Sequence, residues 1–448
     1  MTNPIVRRLL LVLCSFVLLV SVISVSSAAA GKKRVLVISV TMGFRHGSIA
    51  LGEKIIQNLG DKSGLWTTDF ARDDVELVQK TSPMNLKKYN CVVFNNTTGD
   101  LPIRDLPAFL AWVKAGGAVY GIHAATDTYH GSREFIDMMG GEFAGHGPEK
   151  EVEFQILDSK NPATKGLPNS FKAAEEIYDF NKLLNNYSDK VRVIMALDKN
   201  GSTGEPGFYP IAWVRNYCKG RVFYTAIGHR EDIMLSDFAQ KHYLGGMKWA
   251  LGLAKGDATP LPPPAWVTPA EKKQGFRALP NSADLKGWHV REEGRDPWSV
   301  QNGWLVMAKQ GAYLISDEKF KDFTIRYEYM LPKGGNSGVF LRGRYEIQTR
   351  DDFESKALNT DSNGAIYSKI APSRLATLAP GQWQTVEATL IGNKVTVILN
   401  GVKIIDNQFL DGPTAAALDD NVNEPGPIML QGDHGKVAFR NIRIKELK

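Results

Sequence analysis

The sequence predicts an α/β unit with a largely parallel sheet, followed by an all-β sandwich. Three observations carry that reading. From residue 31 to 254, compact apolar runs alternate with helical stretches, the pattern of strands joined by crossover helices. From residue 275 to 448, short β-branched or aromatic runs follow one another with turn residues between them and little that suits a helix. Between the two units, proline at 260, 262, 263, 264 and 269 makes residues 255–274 a stiff spacer without regular structure. At 448 residues, 43% hydrophobic and 23% charged, the chain holds enough apolar material for two cores, which excludes a disordered chain.

Residues 1–30 belong to neither unit. Arg7 and Arg8 precede an apolar run over 9–25, and Ala28-Ala29-Ala30 offers a small-residue cleavage site before Gly31, the three-part pattern of a secretory signal. The expectation is a secreted or periplasmic protein with no stable membrane insertion after cleavage. An uncleaved anchor is the rival reading, set against Ser15, Ser21 and Ser24 within a run of near-spanning length. A lipoprotein is disfavoured because bulky Leu13 precedes Cys14. The segment holds two arginines and no acid, so its removal takes the formal charge from +6 to +4. Basic residues stand singly among acids, which argues against a nucleic-acid partner. Cys91 and Cys218 each lie beside strand-like sequence, where a buried free thiol is expected; a disulfide between them stays open.

In the first unit, residues 35–40, 91–94, 118–122 and 221–227 read as buried strands, with helices near 49–59, 103–115 and 132–139. Ligands of parallel sheets lie beyond the carboxyl ends of the strands. Those ends carry Arg45 and His46, Asn95-Asn96-Thr97, His123 to Asp127, and His229 to Asp232. His46, His123, His146 and His229 are four of the eight histidines, all at strand exits or in Gly-rich loops. They suit a shared pocket for sugar contacts or acid–base chemistry, or a divalent-metal site, although their spacing matches no standard zinc motif; scattered structural roles are the plain alternative. Asp127, four residues after His123, is placed to orient its imidazole or to bond a sugar hydroxyl. Arg45 and Glu231 offer complementary charge, with helix capping and a surface ion pair as their plain alternatives.

The segments FRHGSI, GIHAATD, MMGGEFAGH and AIGHRED, spread over residues 34–253, resemble the trehalose-utilisation (ThuA-like) family. That resemblance implies a class I glutamine-amidotransferase-like fold with flavodoxin-like layering. Where the amidotransferases present a cysteine nucleophile, Gly121-Ile122-His123-Ala124-Ala125 has histidine, so thiolate chemistry is not expected.

In the second unit, residues 324–330, 385–390, 395–399 and 402–405 read as antiparallel strands. Gly392-Asn393 and Asn400-Gly401 suit tight primed turns, making 385–406 a three-stranded meander. The last strand changes phase near Arg440-Asn441, which suggests a bulge. Residues 334–348 hold the candidate site. Glu346 and Gln348 share one sheet face, with Tyr345 and Ile347 on the other. One continuous strand would add Arg342 and Arg344 to the Glu346 face, whereas a tight hairpin at Gly343-Arg344 would set Leu341 opposite Glu346; a solvated face of cross-strand ion pairs is the plain alternative.

Residues 275–288, 335–348, 364–367, Trp383, 395–406 and 427–447 resemble the 3-keto-disaccharide hydrolase family, which implies a concanavalin-like jelly roll and substrates already oxidised at sugar C3. A sugar 3-dehydrogenase would supply them. A C3 ketone acidifies the C2 hydrogen, so a base can remove that proton and expel the C1 substituent. Glu346 or His434 is the candidate base and Arg342 the candidate cation for the enolate, while a divalent metal held by acids would serve in its place. Asn336, Arg344, Gln348, Tyr367, Gln431 and Asp433 are candidate sugar contacts. The competing function is a non-catalytic carbohydrate-binding protein, for which Trp288, Trp298, Trp304 and Trp383 would be stacking platforms.

Overall fold

The computed structural model describes residues 31–181, 191–201, 203–261, 267–279, 284–294, 297–307 and 309–447. The expected signal segment and Pro262, Pro263 and Pro264 lie outside them. The expected spacer is not without regular structure: Pro269–Lys273 is a short helix capped by Thr268, because proline at the first helical position loses no hydrogen bond.

The α/β half is built on one nine-stranded sheet. Its order is Trp66–Ala71, Lys33–Ile38, Cys91–Asn95, Ala118–Ile122, Gly220–Thr225, Pro206–Tyr217, Arg192–Lys199, Lys150–Ile156 and Ser170–Glu175. The first five are mutually parallel, as the alternating pattern predicts. The other four pair antiparallel, so the sheet is mixed, and this extension is the part that strand–helix alternation does not announce. Val35, Leu36, Val37 and Ile38 are fully buried. Each such side chain stabilises the fold by roughly 1.5–3 kcal/mol over an exposed one, which is why near-continuous apolar runs mark strands covered on both faces. Helix Ile49–Ser63 follows the first strand and stops at Gly64, whose left-handed φ of 68° suits a residue without Cβ. Helix Asp237–Ala250 follows the fifth parallel strand and starts at Ser236, whose side chain accepts from the Ala239 N–H.

The C-terminal half is two facing antiparallel sheets. One runs Trp298–Gln301, Trp304–Met307, Val437–Glu446, Phe323–Met330, Gln384–Ile391, Lys394–Leu399, Val402–Phe409, with Arg277–Ala278 beside Val437–Glu446. The expected meander is its last three strands, and Asn400 and Gly401 both have positive φ, as a primed turn requires. The register shifts opposite Arg440–Arg443 and Asn441 has φ 55°, the expected bulge. The other sheet runs Trp288–Val290, Leu314–Phe320, Gly426–Leu430, Asn336–Leu341, Tyr345–Arg350. Residues 342–344 form a three-residue hairpin loop with Arg342 at φ 53° and Gly343 at φ 65°. Leu341 therefore faces Tyr345 and Phe340 faces Glu346, one residue off the expected hairpin register. Tyr345 and Ile347 join the inter-sheet core, so Glu346 and Gln348 lie on the opposite face.

Residues 33–448 form one compact unit in which the two halves touch directly. Trp304, Val306 and Ala438 join the hydrophobic cluster of the α/β half. The Trp383 indole donates to Asp198 Oδ2 at 3.1 Å, and the Lys199 ammonium donates to the Gly381 carbonyl at 2.8 Å.

Candidate functional site

Two places gather titratable groups, one in each half. In the α/β half, the carboxyl ends of three parallel strands deliver His46, His123 and His229, and the loop between Ser170–Glu175 and Tyr178–Phe180 delivers Glu176. One ligand atom from each lies within 4.8 Å of the others. His123 sits immediately after strand Ala118–Ile122 at φ 46°, a left-handed conformation uncommon outside glycine, so the surrounding packing must hold it there. Part of that packing is Gly228, because a Cβ there would fall 2.6 Å from Ile122 Cγ2 and 2.9 Å from His123 Cβ. The loop bearing His229 is fixed by the Ser48 hydroxyl donating to the Gly228 carbonyl at 2.7 Å, and by Glu175 accepting from the N–H groups of Gly228 and Arg230.

Each imidazole is oriented by a partner on its outward side. His123 Nδ1 is 2.8 Å from the Ala226 carbonyl, so it carries the proton and leaves Nε2 with its lone pair. His229 Nε2 lies 3.2 Å from Glu149, and His46 Nε2 lies 3.4 Å from the Tyr178 hydroxyl. The inward nitrogens, His46 Nδ1, His123 Nε2 and His229 Nδ1, are buried and make no hydrogen bond. Two of them come within 3.2 Å of Glu176 Oε2 without hydrogen-bond geometry, while His146 Nδ1 lies 3.0 Å from Glu176 Oε1. The Tyr178 ring lies against His123, 4.1 Å between centroids. Burial, then the neighbouring imidazoles, pushes His46 down to about 4, and burial also lowers His123. His229 is raised by Glu176. Burial opposes ionisation of Glu176, but the close approach of His123 and His229 outweighs it and holds the carboxyl well below the usual range. Its neighbour Glu175 is pushed up to about 7 by burial.

Three expectations are corrected here. Asp127 does not orient His123; it holds His130 at 2.7 Å, and a backbone carbonyl fixes the His123 tautomer instead. Arg45 is exposed and donates to the Ser39 carbonyl, and Glu231 is exposed in the first turn of helix Glu231–Met234, so neither joins the cluster. Cys218 is an exposed free thiol at a turn; only Cys91 is buried, and burial raises its thiol far above the usual range. Glu176, Glu149 and Tyr178 were missed, because Glu149 and Glu176 flank strands of the antiparallel extension and Tyr178 lies in a separate two-stranded sheet with Phe143–His146, with no sequence link to the strand exits.

In the sandwich half, Glu346 is 3% exposed on the outer face of the five-stranded sheet. Its carboxyl fills the space above Gly338, where a Cβ would sit 2.2 Å from Glu346 Oε1. Burial, and then the charge of Asp433, pushes Glu346 up to about 8. Asp433 in turn accepts from the Tyr313 hydroxyl at 3.1 Å and lies 2.5 Å from His434 Nδ1. Gln431 donates to Tyr313 at 3.2 Å, and Gln348 donates to Asp361 at 2.8 Å. The amide oxygens of Asn336, Gln348 and Gln431 are buried without a partner. Beyond Gln348, a cavity of about 470 Å³ is lined by Lys333, Arg350, Asp351, Asp352, Asp361 and neighbours.

Arg342 and Arg344 do not share this face. Arg342 is buried against Asp322 at 2.9 Å and the carbonyls of Lys321 and Val422, and Arg344 pairs with Asp419 and the Glu424 carbonyl. Both guanidinium groups tie the hairpin to neighbouring loops, so Arg342 is not placed to meet an enolate at Glu346. The Tyr367 N–H donates to the Glu346 carbonyl, which gives that residue a backbone contact with the site strand. Trp288 and Trp298 pack in the inter-sheet core and Trp304 between the halves, while Trp383 is half-buried there with the Arg440 guanidinium 3.8 Å from its ring centroid.

Residues 34–250 match the family described as Trehalose utilisation, and residues 275–445 match the 3-keto-alpha-glucoside-1,2-lyase-like domain. The chain joins these two families in tandem. A 3-keto-disaccharide hydrolase of Bacteroides thetaiotaomicron is 24% identical, the match covering 39% of this chain and 79% of that protein. A ThuA-like protein of Bacteroides uniformis is 24% identical with a TM-score of 0.41, covering 50% of this chain and 93% of that one. A structure assigned as a glycosyl hydrolase from Parabacteroides distasonis is 29% identical with a TM-score of 0.34, covering 39% and 84%. In these terms the histidine cluster belongs to the trehalose-utilisation half and Glu346 to the lyase-like half.

Proposed function

We propose that the protein cleaves glycosides of 3-keto sugars, with Glu346 of the lyase-like half as the base. The buried Glu346 carboxyl carries this reading, because a carboxyl pushed up to about 8 is a far stronger base than an ordinary one. A C3 ketone makes the C2 hydrogen acidic. Glu346 takes that proton and the C2–H electron pair forms the C2=C3 enolate; as the C3 carbonyl re-forms, that pair becomes the C1=C2 double bond and the C1–O pair leaves with the aglycone. Water adding across the double bond restores a 3-keto sugar, so the net reaction is hydrolysis. No pair of carboxylates flanking an oxocarbenium ion is needed. The partnerless amide oxygens of Asn336, Gln348 and Gln431 suit sugar hydroxyls as donors. His434, held by Asp433, is the imidazole linked to the same carboxylate network and takes the role of donor to the enolate.

A non-catalytic binding module is the weaker reading, since its aromatic platforms would have to be tryptophans that are committed to packing. The trehalose-utilisation half holds or transforms a related keto-sugar, the protein acts after export, and a sugar 3-dehydrogenase supplies its substrate. The test is to incubate the full chain with a 3-keto-glycoside and with its unoxidised parent, following products by NMR. Cleavage of the keto form alone is expected. Equal turnover of the parent would point to ordinary glycosidase chemistry and sink the proposal.

A further inference from the structure

Three buried imidazole nitrogens face one another across the cluster in the trehalose-utilisation half, and none of them makes a hydrogen bond. Leaving one buried polar atom without a partner costs roughly 1–3 kcal/mol, and here three such atoms meet at one point beside a carboxylate. Packing alone gives no reason for this convergence, because each ring has another nitrogen already satisfied or contacted on its far side. We propose that His46, His123, His229 and Glu176 together bind one divalent transition-metal ion.

The distances fit. Bonds of ~2.0–2.1 Å to nitrogen or oxygen in a tetrahedral site separate neighbouring ligand atoms by roughly 3.3 Å. His123 Nε2 and His229 Nδ1 each stand 3.2 Å from Glu176 Oε2, so two edges of such a polyhedron are already in place. Closing the rest needs only that the set contract from its present spread of 4.8 Å. The outward contacts are those that metal-binding imidazoles use. The Ala226 carbonyl takes the His123 Nδ1 proton, Glu149 lies beside the far nitrogen of His229, and the Tyr178 hydroxyl lies beside that of His46. Such partners fix the tautomer and turn the ligating lone pair inward. His146 Nδ1 also stands 3.0 Å from the second oxygen of Glu176, although its hydrogen bond goes to the Gly147 carbonyl at 2.9 Å.

The donor set also selects the class of ion. Three imidazoles and one carboxylate suit zinc, cobalt, manganese, nickel or iron; calcium and magnesium prefer all-oxygen shells. His46 and His123 are buried, but the His229 side chain is 27% exposed and His146 stands at the rim, so the cluster reaches solvent on that side. An ion held by these four ligands would fill a tetrahedron and would take an oxygen ligand from the solvent side only by expanding to five-coordination.

The experiment uses the full chain without a polyhistidine tag, stripped with a chelator and titrated with zinc and with cobalt(II). Calorimetry gives the stoichiometry, and cobalt absorption reports tetrahedral nitrogen–oxygen coordination. One ion per chain is expected. His229→Ala and Glu176→Gln, checked for folding by circular dichroism, should each weaken binding by about tenfold or more. His229→Ala alters the most exposed of the three rings, so it tests the site even where His123→Ala does not fold. His130→Ala and His289→Ala, at histidines outside the cluster, should leave affinity unchanged. Substoichiometric binding by the unaltered chain, or equal affinity in cluster and control variants, would overturn the assignment and leave the cluster as a histidine–carboxylate network alone.

Discussion

Glu176 and Glu346 are the same side chain placed in opposite environments. Glu176 lies among His123, His146 and His229, whose nitrogens approach to between 3.0 and 3.2 Å, and it is held ionised against the cost of burial. Glu346 is buried beside another acid, Asp433, and it is pushed up to about 8. The first arrangement concentrates lone pairs and negative charge at a point, which suits a cation. The second stores a proton acceptor of raised basicity beneath unpaired amide oxygens, which suits removal of a carbon-bound proton from a hydroxyl-rich ligand. Partner charge decides which a buried carboxyl becomes, and neither outcome is written in the glutamate itself.

The comparison breaks most readily at Glu346. Glu346→Gln keeps the shape and removes the base, so turnover of a 3-keto-glycoside should fall about a hundredfold or more, read as kcat in a folded variant. Unchanged turnover would return Glu346 to a structural role. Next in size is Gly228→Ala, which forces a methyl group against Ile122 and the His123 Cβ. Overpacking of this kind should cost about 2 kcal/mol in denaturant unfolding and disturb the histidine cluster, while the Glu346 face stays intact. Gly338→Ala is its counterpart in the other half. The added Cβ displaces the Glu346 carboxyl, and a loss of about tenfold in kcat with a smaller change in KM is expected, since positioning rather than binding is altered.

The pH dependence sharpens the same contrast. Between its ordinary value near 4.5 and its folded value of about 8, Glu346 binds a proton in the native state that the unfolded chain has lost. Stability therefore falls as pH rises through that window, and Glu346→Gln removes the fall, so the variant should gain on the unaltered protein by about 1 kcal/mol or more at pH 8. Activity should move the other way, rising through about 8 as the carboxylate form appears; a flat profile over that range would argue against Glu346 as the base. The smallest effect is expected at the thiols. Replacing Cys91 and Cys218 by alanine should leave both sites working, with about 1 kcal/mol lost at buried Cys91, because neither sulfur reaches a site. Alkylation that inactivates the protein only while these thiols are present would revive a thiol mechanism.

The parallel strands were legible because burial on both faces requires nearly unbroken apolar runs, and Ala118–Ile122 lies where that pattern puts it. The meander was legible from its turn residues, since Asn-Gly tolerates the positive φ that a two-residue hairpin demands. Strand exits likewise located His46, His123 and His229, because side chains at one end of parallel strands must meet. Glu176 was out of reach. It belongs to an antiparallel extension whose place in the sheet is set by long-range pairing, and no local spacing ties residue 176 to residues 46, 123 and 229.

In the sandwich, alternation alone put Glu346 and Gln348 on one face, because strand side chains point up and down in turn. Whether Arg342 shared that face depended on a three-residue loop and on Asp322, Lys321 and Val422 waiting to receive the guanidinium. The sequence by itself thus determined strand identity, face and the presence of chemistry-bearing residues, since those follow from local periodicity and steric preference. Only the tertiary structure decided which charges stand next to which, and with them the protonation of Glu346 and Glu176, because electrostatic energies depend on through-space distance and burial that no neighbouring residue in the chain specifies.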